Sequence, residues 1–143
     1  WEELKRQEKG QRTTAEAMDA VARSLPATWR AEKIQKKAAK VGFAWESVSA
    51  SLDKLSEETA ELRQAAASGV NVEEELGDVL FAAVNAAACL ELDPETALHA
   101  ACDKFIARFG AMEQAALSRG ARLEDLSRQE LLRSWNEQKP QSE

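Results

Sequence analysis

The sequence predicts an all-α protein, and three observations support this fold class. Gly and Pro are scarce, at six and three among 143 residues, and Tyr is absent. No run alternates apolar and polar residues as a half-buried strand does. Ala is abundant, and apolar residues recur instead at helical spacing. A chain of this length is expected to form one domain with a proper hydrophobic core.

The N-terminal part is expected to stand outside the main domain. Residues 1–11 read as a short charged helix, and the residues after it as a linker with some helical character that Thr14 starts. The spacing of Trp1 and Lys5 repeats that of Trp135 and Lys139. We therefore expect residues 1–24 to be the tail of a preceding domain, residues 25–139 to form the main domain, and residues 140–143 to be a disordered tail.

Five helical elements are expected in the main domain, each bounded by residues that favour helix ends. They cover residues 27–41, 47–68, 72–90, 94–119 and 123–139. Gly69 and Asn71 suit the end of the second helix and the start of the third. Pro94 suits a first helical position. Ser127, followed three residues later by Glu130, has the pattern of a capping box.

Charge and hydropathy exclude several classes of function. The net charge of −6 disfavours general nucleic-acid binding, which depends on neutralising phosphates. No apolar run approaches the ~20 residues of a membrane-spanning helix, and no signal peptide is visible. We expect a cytoplasmic protein that binds neither membranes nor nucleic acid. Cys89 and Cys102 are expected to be buried thiols rather than a disulfide.

Two acidic pairs flank the expected turn near Val70. The pairs are Glu58-x-x-Glu61 and Glu75-x-x-Asp78, and a spacing of three places both carboxylates of a pair on one helix face. If the two helices fold back antiparallel, all four carboxylates fall within about 10 Å along the hairpin, at ~1.5 Å per residue. Oxygen ligands without Cys or His suit Mg²⁺ or Mn²⁺ rather than zinc. Acidic residues are also common on solvated helix faces, so spacing alone leaves that alternative open.

Two further features leave both a functional and a structural interpretation. Asn85 lies on the same face as Asp78 and could bond the base or sugar of a ligand, or cross-link two helices. Lys36 belongs to a basic stripe that could attract a polyphosphate or form a solvated face. The stripe contains Lys33, Lys36, Lys37 and Lys40.

The acidic motifs and their flanks resemble the MazG family of nucleoside triphosphate pyrophosphohydrolases. The resemblance rests on RAEKIQKKAAKVGFAW at residues 30–45, EETAEL at 57–62, EELGDVLFAAVN at 74–85 and DKFIARF at 103–109. It extends over most of the chain, from about residue 24 to residue 139. It implies a MazG-like helical bundle that dimerises around a four-helix core. It also implies that the two acidic pairs are the catalytic metal ligands for Mg²⁺, with Mn²⁺ as a substitute.

The same resemblance implies residues that bind the substrate. Lys104 and Arg108 match a K-x-x-x-R element whose cations contact the triphosphate. Trp135 and Lys139 match a W-x-x-x-K element that lies beside the substrate, where the indole could stack on a base and the ammonium could meet a phosphate. A docking tryptophan and a surface lysine are the structural alternative.

The reaction implied is hydrolysis of a nucleoside or deoxynucleoside triphosphate to the monophosphate and pyrophosphate, in control of the nucleotide pool. The expected partners are the nucleotide and a second copy of the chain. An all-α dUTPase-like enzyme or a phosphoribosyl-ATP pyrophosphohydrolase would also fit the acidic hairpin. A non-catalytic nucleotide-binding dimerisation module is the third alternative.

Overall fold

The computed structural model describes residues 1, 3–5, 10 and 13–139, and its regular structure there is helical, without strands. The all-α prediction is therefore confirmed. The helices are α1 (Thr14–Asp19), α2 (Ala27–Lys40), α3 (Val48–Ser68), α4 (Val72–Cys89), α5 (Pro94–Ser118) and α6 (Arg128–Glu137), with a 3₁₀ turn at Leu123–Asp125 before α6. The helix expected over residues 1–11 falls largely outside the described residues, and the tail of residues 140–143 lies entirely outside them.

Helix ends follow the capping residues read from the sequence. Ser47 accepts a hydrogen bond from the backbone N–H of Ala50 at 3.0 Å and so starts α3. Pro94 is the first residue of α5, as predicted. The expected element at residues 123–139 is broken by the extended backbone of Leu126, and the predicted capping box then starts α6. Its two hydrogen bonds, between Ser127 and Glu130 in both directions, are each 3.2 Å long.

The start of α1 differs from its expected position by one residue. Thr13, rather than Thr14, accepts the capping hydrogen bond from the backbone N–H of Glu16, at 3.1 Å. The helix packs against α2. Ala17 and Val21 are buried, so this segment contributes to a core.

The chain divides into two compact units, residues 1–95 and 96–143. In the first unit, α3 and α4 pack together along their length as a hairpin, and α2 packs against α4. Small residues of the hairpin fill its interior, because they let the two backbones approach closely. They are Ser51, Ala65, Ala82, Val84 and Ala86.

The second unit consists of most of α5, the 3₁₀ turn and α6. Its buried residues, within the described range 96–139, are Met112 and Ala116 of α5 and Ser134 of α6. An apolar groove with a volume of about 650 Å³ opens beside them. Its lining includes Phe105, Phe109, Met112, Leu131 and Trp135.

Two left-handed residues make the hairpin turn. Gly69 ends α3 with φ 74°, and its N–H donates to the Ala65 carbonyl at 2.7 Å. Asn71 precedes α4 with φ 58°, and its side chain makes no capping hydrogen bond. The predicted positions of both residues are confirmed, but Asn71 acts through its backbone, because Asn tolerates the left-handed region better than most residues.

Cys89 is half-buried, Cys102 is exposed, and both are free thiols. The expectation of free thiols is confirmed, whereas burial of Cys102 is wrong for the single chain. In the part of the chain that the structure describes, no helix is both long enough and apolar enough to cross a membrane.

The turn generates a prediction about stability. Gly69→Ala should lower the free energy of unfolding by about 1 kcal/mol, because an added Cβ is strained at positive φ. Gly77→Ala is the matched control, because Gly77 lies within α4 and a Cβ there meets nothing within 4 Å. That change should raise the free energy of unfolding by ~0.5–1 kcal/mol, since Ala favours the helix more than Gly does. Urea denaturation at one chain concentration measures the free energy of unfolding of both variants. Changes of the same sign in the two variants would contradict the assignment of the turn.

Candidate metal centre

The hairpin brings three of the four predicted carboxylates to one point. Glu58 of α3 and Glu75 and Asp78 of α4 each offer an oxygen, and these oxygens lie within 4.8 Å of one another. The arrangement follows from the helical period, which aligns Glu75 with Asp78, and from the turn, which sets Glu58 opposite them. Three carboxylate oxygens this close suit a hard divalent cation.

Burial and missing hydrogen bonds test whether a cation fits. Glu58 is only 8% exposed. Among the described residues, the Oε2 atoms of Glu58 and Glu75 are buried and have no hydrogen-bond partner. A buried carboxylate oxygen without a partner is costly and is rare in native proteins. The donor set therefore fits a divalent cation, which would satisfy both atoms.

Lys54 forms an ion pair with Glu58 of this cluster. Its Nζ lies 2.9 Å from Oε1 of Glu58 and 3.6 Å from Glu57. The hydrogen bond with Lys54 lowers the pKa of Glu58, against the opposing effect of burial. The same hydrogen bond raises the pKa of Lys54. Lys54 thus pairs with Oε1, favours the ionised form of Glu58 and leaves Oε2 available.

Glu61, the fourth predicted ligand, lies beside the set of three. Its side chain is exposed and close enough to Glu58 for the two carboxyl groups to interact. A hydrogen bond to Glu58, which requires a proton on Glu61, together with the negative charge of Glu58 raises the pKa of Glu61. A role for Glu61 as a ligand stays a prediction.

In the second unit, the predicted substrate residues Arg108 and Trp135 contact each other. The Nε and Nη2 atoms of Arg108 donate to the backbone carbonyl of Trp135 at 3.2 and 2.9 Å. The guanidinium carbon lies 3.9 Å from the centre of the indole ring. Phe105 packs on the same indole at 5.0 Å between ring centres. Lys104 and Lys139, the other two predicted cations, are exposed.

The remaining predicted residues lie in the first unit. Asn85 is half-buried on α4, and its Nδ2 is a buried atom that lacks a partner in the described chain. Lys36 on α2 is mostly exposed and pairs with Glu32 at 3.1 Å. Sequence reasoning missed Gln35, whose Nε2 donates to the backbone carbonyl of Phe81 at 2.9 Å. No motif indicated this contact, because it depends on how α2 packs against α4.

A helical unit that presents carboxylates from both arms of one hairpin defines a class of helical proteins with an acidic hairpin that suits a divalent cation. Within that class, the profile of the MazG nucleotide pyrophosphohydrolase domain matches residues 46–110. These residues include the whole hairpin and the Lys104–Arg108 element. The chain therefore carries a MazG domain, and the resemblance seen in the sequence is confirmed.

Curated relatives extend the similarity beyond the matched domain. The chain is 39% identical over 145 residues to the nucleoside triphosphate pyrophosphohydrolase of Escherichia coli, with 99% of this chain and 55% of that protein covered. It is 37% identical over 139 residues to the nucleoside triphosphate pyrophosphohydrolase/pyrophosphatase MazG of Thermotoga maritima, with 97% and 54% covered. The uncharacterized protein YabN of Bacillus subtilis is 42% identical over 69 residues, which cover 48% of this chain and 14% of that protein. The chain thus spans about half the length of the first two relatives.

The unpaired oxygens generate a prediction about metal binding. Mg²⁺ should raise the melting temperature of the chain, because binding to the folded state alone stabilises it by about 2.7 kcal/mol at a hundred times the Kd. Glu75→Gln should raise the melting temperature without metal, since it relieves repulsion, and should remove most of the response to Mg²⁺.

The matched control is Asp53→Asn, which removes one exposed charge from α3 outside the cluster. It should keep the full response to Mg²⁺. Thermal unfolding with EDTA and with increasing Mg²⁺ measures both variants, and equal responses would argue against a metal centre at Glu58, Glu75 and Asp78.

Proposed function

We propose that this chain hydrolyses nucleoside triphosphates, including deoxynucleoside triphosphates, to the monophosphate and pyrophosphate, with Mg²⁺ as its cofactor. The observation that carries the proposal is the set of three converging carboxylates, two of them with buried unpaired oxygens, inside the region matched to the MazG domain. The names of the Escherichia coli and Thermotoga maritima relatives describe pyrophosphohydrolysis of nucleoside triphosphates and support that part of the proposal. They favour it over the dUTPase-like and phosphoribosyl-ATP alternatives.

Glu58, Glu75 and Asp78 would hold the cation, with Glu61 as the fourth carboxylate. When bound, Mg²⁺ supplies charge neutralisation for the phosphates and lowers the pKa of a bound water, and Mn²⁺ is expected to substitute. Lys54 favours the ionised form of Glu58 and orients its carboxylate for this role. The absence of a P-loop and of a nucleophilic Ser or Cys arrangement in the sequence favours direct attack by water over a covalent intermediate.

The cations of the second unit would neutralise charge on the triphosphate and on the departing pyrophosphate. Lys104 and Arg108 are one turn apart on α5, and Lys139 follows α6. The planar guanidinium of Arg108 suits phosphate oxygens. Its two hydrogen bonds to the Trp135 carbonyl would position it for that contact. Lys36 would add a weaker, long-range attraction for the polyphosphate.

We expect this activity to serve control of the nucleotide pool in the cytoplasm and to reside in a homodimer. Large apolar side chains remain exposed on α4 and α5 of the single chain, and α5 buries only Met112 and Ala116. A second copy that forms a four-helix core would cover such side chains. These side chains include Leu76, Leu80, Phe81, Leu98, Phe105, Ile106 and Phe109.

The activity is tested by product analysis. Each common NTP and dNTP is incubated with the chain and Mg²⁺, and the monophosphate and pyrophosphate are quantified together. We expect both products in equal amounts, and a loss of kcat/KM of more than about a hundredfold in Glu75→Gln, because the cation site loses a ligand. Asp53→Asn should retain activity, and Glu61→Ala tests the fourth ligand. Release of inorganic phosphate instead of pyrophosphate would contradict the proposal.

The homodimer is tested by light scattering at micromolar concentration, where the mass should equal two chains. Ile106 is 66% exposed on α5, so Ile106→Glu should leave the fold of one chain intact. A buried unpaired charge is costly, so this change should weaken association by more than about a hundredfold. Gln114→Glu adds the same charge at another exposed position of α5 and serves as the control. A mass of one chain for the unaltered protein would contradict dimerisation.

A further inference from the structure

Gln35 of α2 presents a fixed hydrogen-bond acceptor beside α4. Its Nε2 donates to the Phe81 carbonyl at 2.9 Å. Since a carbonyl oxygen only accepts, this bond sets the orientation of the side-chain amide, with Oε1 at its other corner. In the described part of the chain, Oε1 of Gln35 is buried and has no partner.

Asn85 carries an unused donor on the helix that Gln35 contacts. It lies one turn after Phe81 within α4, so its backbone N–H approaches the same Phe81 carbonyl that Gln35 bonds. Two hydrogen bonds that share one oxygen place the Gln35 amide within about 6 Å of the Asn85 backbone nitrogen. Helical side chains lean toward the N-terminus, which brings the Asn85 amide back toward the level of Phe81. Its Nδ2 is buried and unpartnered among the described residues.

Asn85 lies far enough from the metal centre to leave room for a ribose between a base and the phosphates. Asp78 and Asn85 are seven residues apart on α4, so they share a face and are separated by about 10 Å along the helix axis. In a nucleoside triphosphate the ribose separates the base from the phosphates. A site for the base is therefore expected along the helix from the carboxylates and not against them.

We infer that Gln35 and Asn85 form the base-recognition subsite of this enzyme, with Oε1 of Gln35 accepting from, and Nδ2 of Asn85 donating to, the hydrogen-bonding edge of a nucleobase. This inference rests on the proposed function. A base edge offers a donor and an acceptor side by side, which complements the two unused atoms. Buried polar atoms without partners are costly, and a base would satisfy both. How well each base binds then depends on the order of donor and acceptor along its hydrogen-bonding edge.

The test compares kcat/KM for ATP, GTP, CTP and UTP with Mg²⁺, together with the inhibition constant of inorganic tripolyphosphate, which has no base. Gln35→Met and Asn85→Leu remove the hydrogen-bonding groups at nearly constant size. Each should lower kcat/KM for the preferred nucleotide by roughly 10- to 100-fold and bring it toward the value for the poorest one. The inhibition constant of tripolyphosphate should stay unchanged. Gln64→Met, at an exposed position of α3, should change none of these values.

Three results would overturn the subsite. They are equal kcat/KM for all four nucleotides in the unaltered chain, an equal loss for every nucleotide and for tripolyphosphate in both variants, and no change in either variant. An equal loss for all ligands would assign the pair to cross-linking α2 and α4. Absence of pyrophosphate from every nucleotide with the unaltered chain would overturn the proposed function itself, and the subsite with it.

Modified nucleotides test the same contact without altering the protein. Methylation of the preferred base on its hydrogen-bonding edge should lower kcat/KM by roughly 10- to 100-fold, because the donor to Gln35 is lost. Methylation at C5 of a pyrimidine or at C8 of a purine lies off that edge and should have a smaller effect. Equal effects of the two modifications would overturn the inference.

Discussion

The mutual repulsion of Glu58, Glu75 and Asp78 is the main physical constraint on the first unit. Their oxygens lie within 4.8 Å of one another, and Glu58 is mostly removed from water, which weakens the screening of its charge. The covalent turn at Gly69 and the packing of α3 on α4 hold the helices together against this repulsion. Lys54 offsets part of it at Glu58. Without a cation, this repulsion therefore lowers the free energy of unfolding of the hairpin.

Five buried polar atoms lack hydrogen-bond partners in the described part of this unit. They are Nε of Arg30, Oε1 of Gln35, Oε2 of Glu58, Oε2 of Glu75 and Nδ2 of Asn85. Two are oxygens at a candidate cation site, an acceptor and a donor lie on α2 at Gln35 and on α4 at Asn85, and Nε of Arg30 is a further donor on α2. One nucleotide with its cation contains groups complementary to the atoms of Glu58, Glu75, Gln35 and Asn85. Four of the five atoms therefore match the charge and polarity of a single class of ligand.

Local features were accessible from the sequence, and features that depend on packing were not. Helical period and the Gly69 turn are sufficient to bring Glu58 to Glu75 and Asp78, and local capping chemistry located Pro94 and Ser127. The bond from Gln35 to Phe81 depends on the register of α2 on α4, which no local pattern encodes. The contact of Arg108 with Trp135 joins residues of separate helices in the same way. Sequence spacing predicted that Glu61 lies on the same face as Glu58, but it gives no rotamer, so it could not show that the Glu61 oxygens lie outside the set of three.

The three converging carboxylates belong to one continuous stretch of chain between Glu58 and Asp78, within a single helical hairpin. Contacts between residues close in sequence have a small loop-closure entropy and form early in folding. A cation bound there would stabilise an element expected to form early in folding. It would then accelerate folding as well as slow unfolding. During synthesis, such an ion would organise this hairpin before the second unit has emerged.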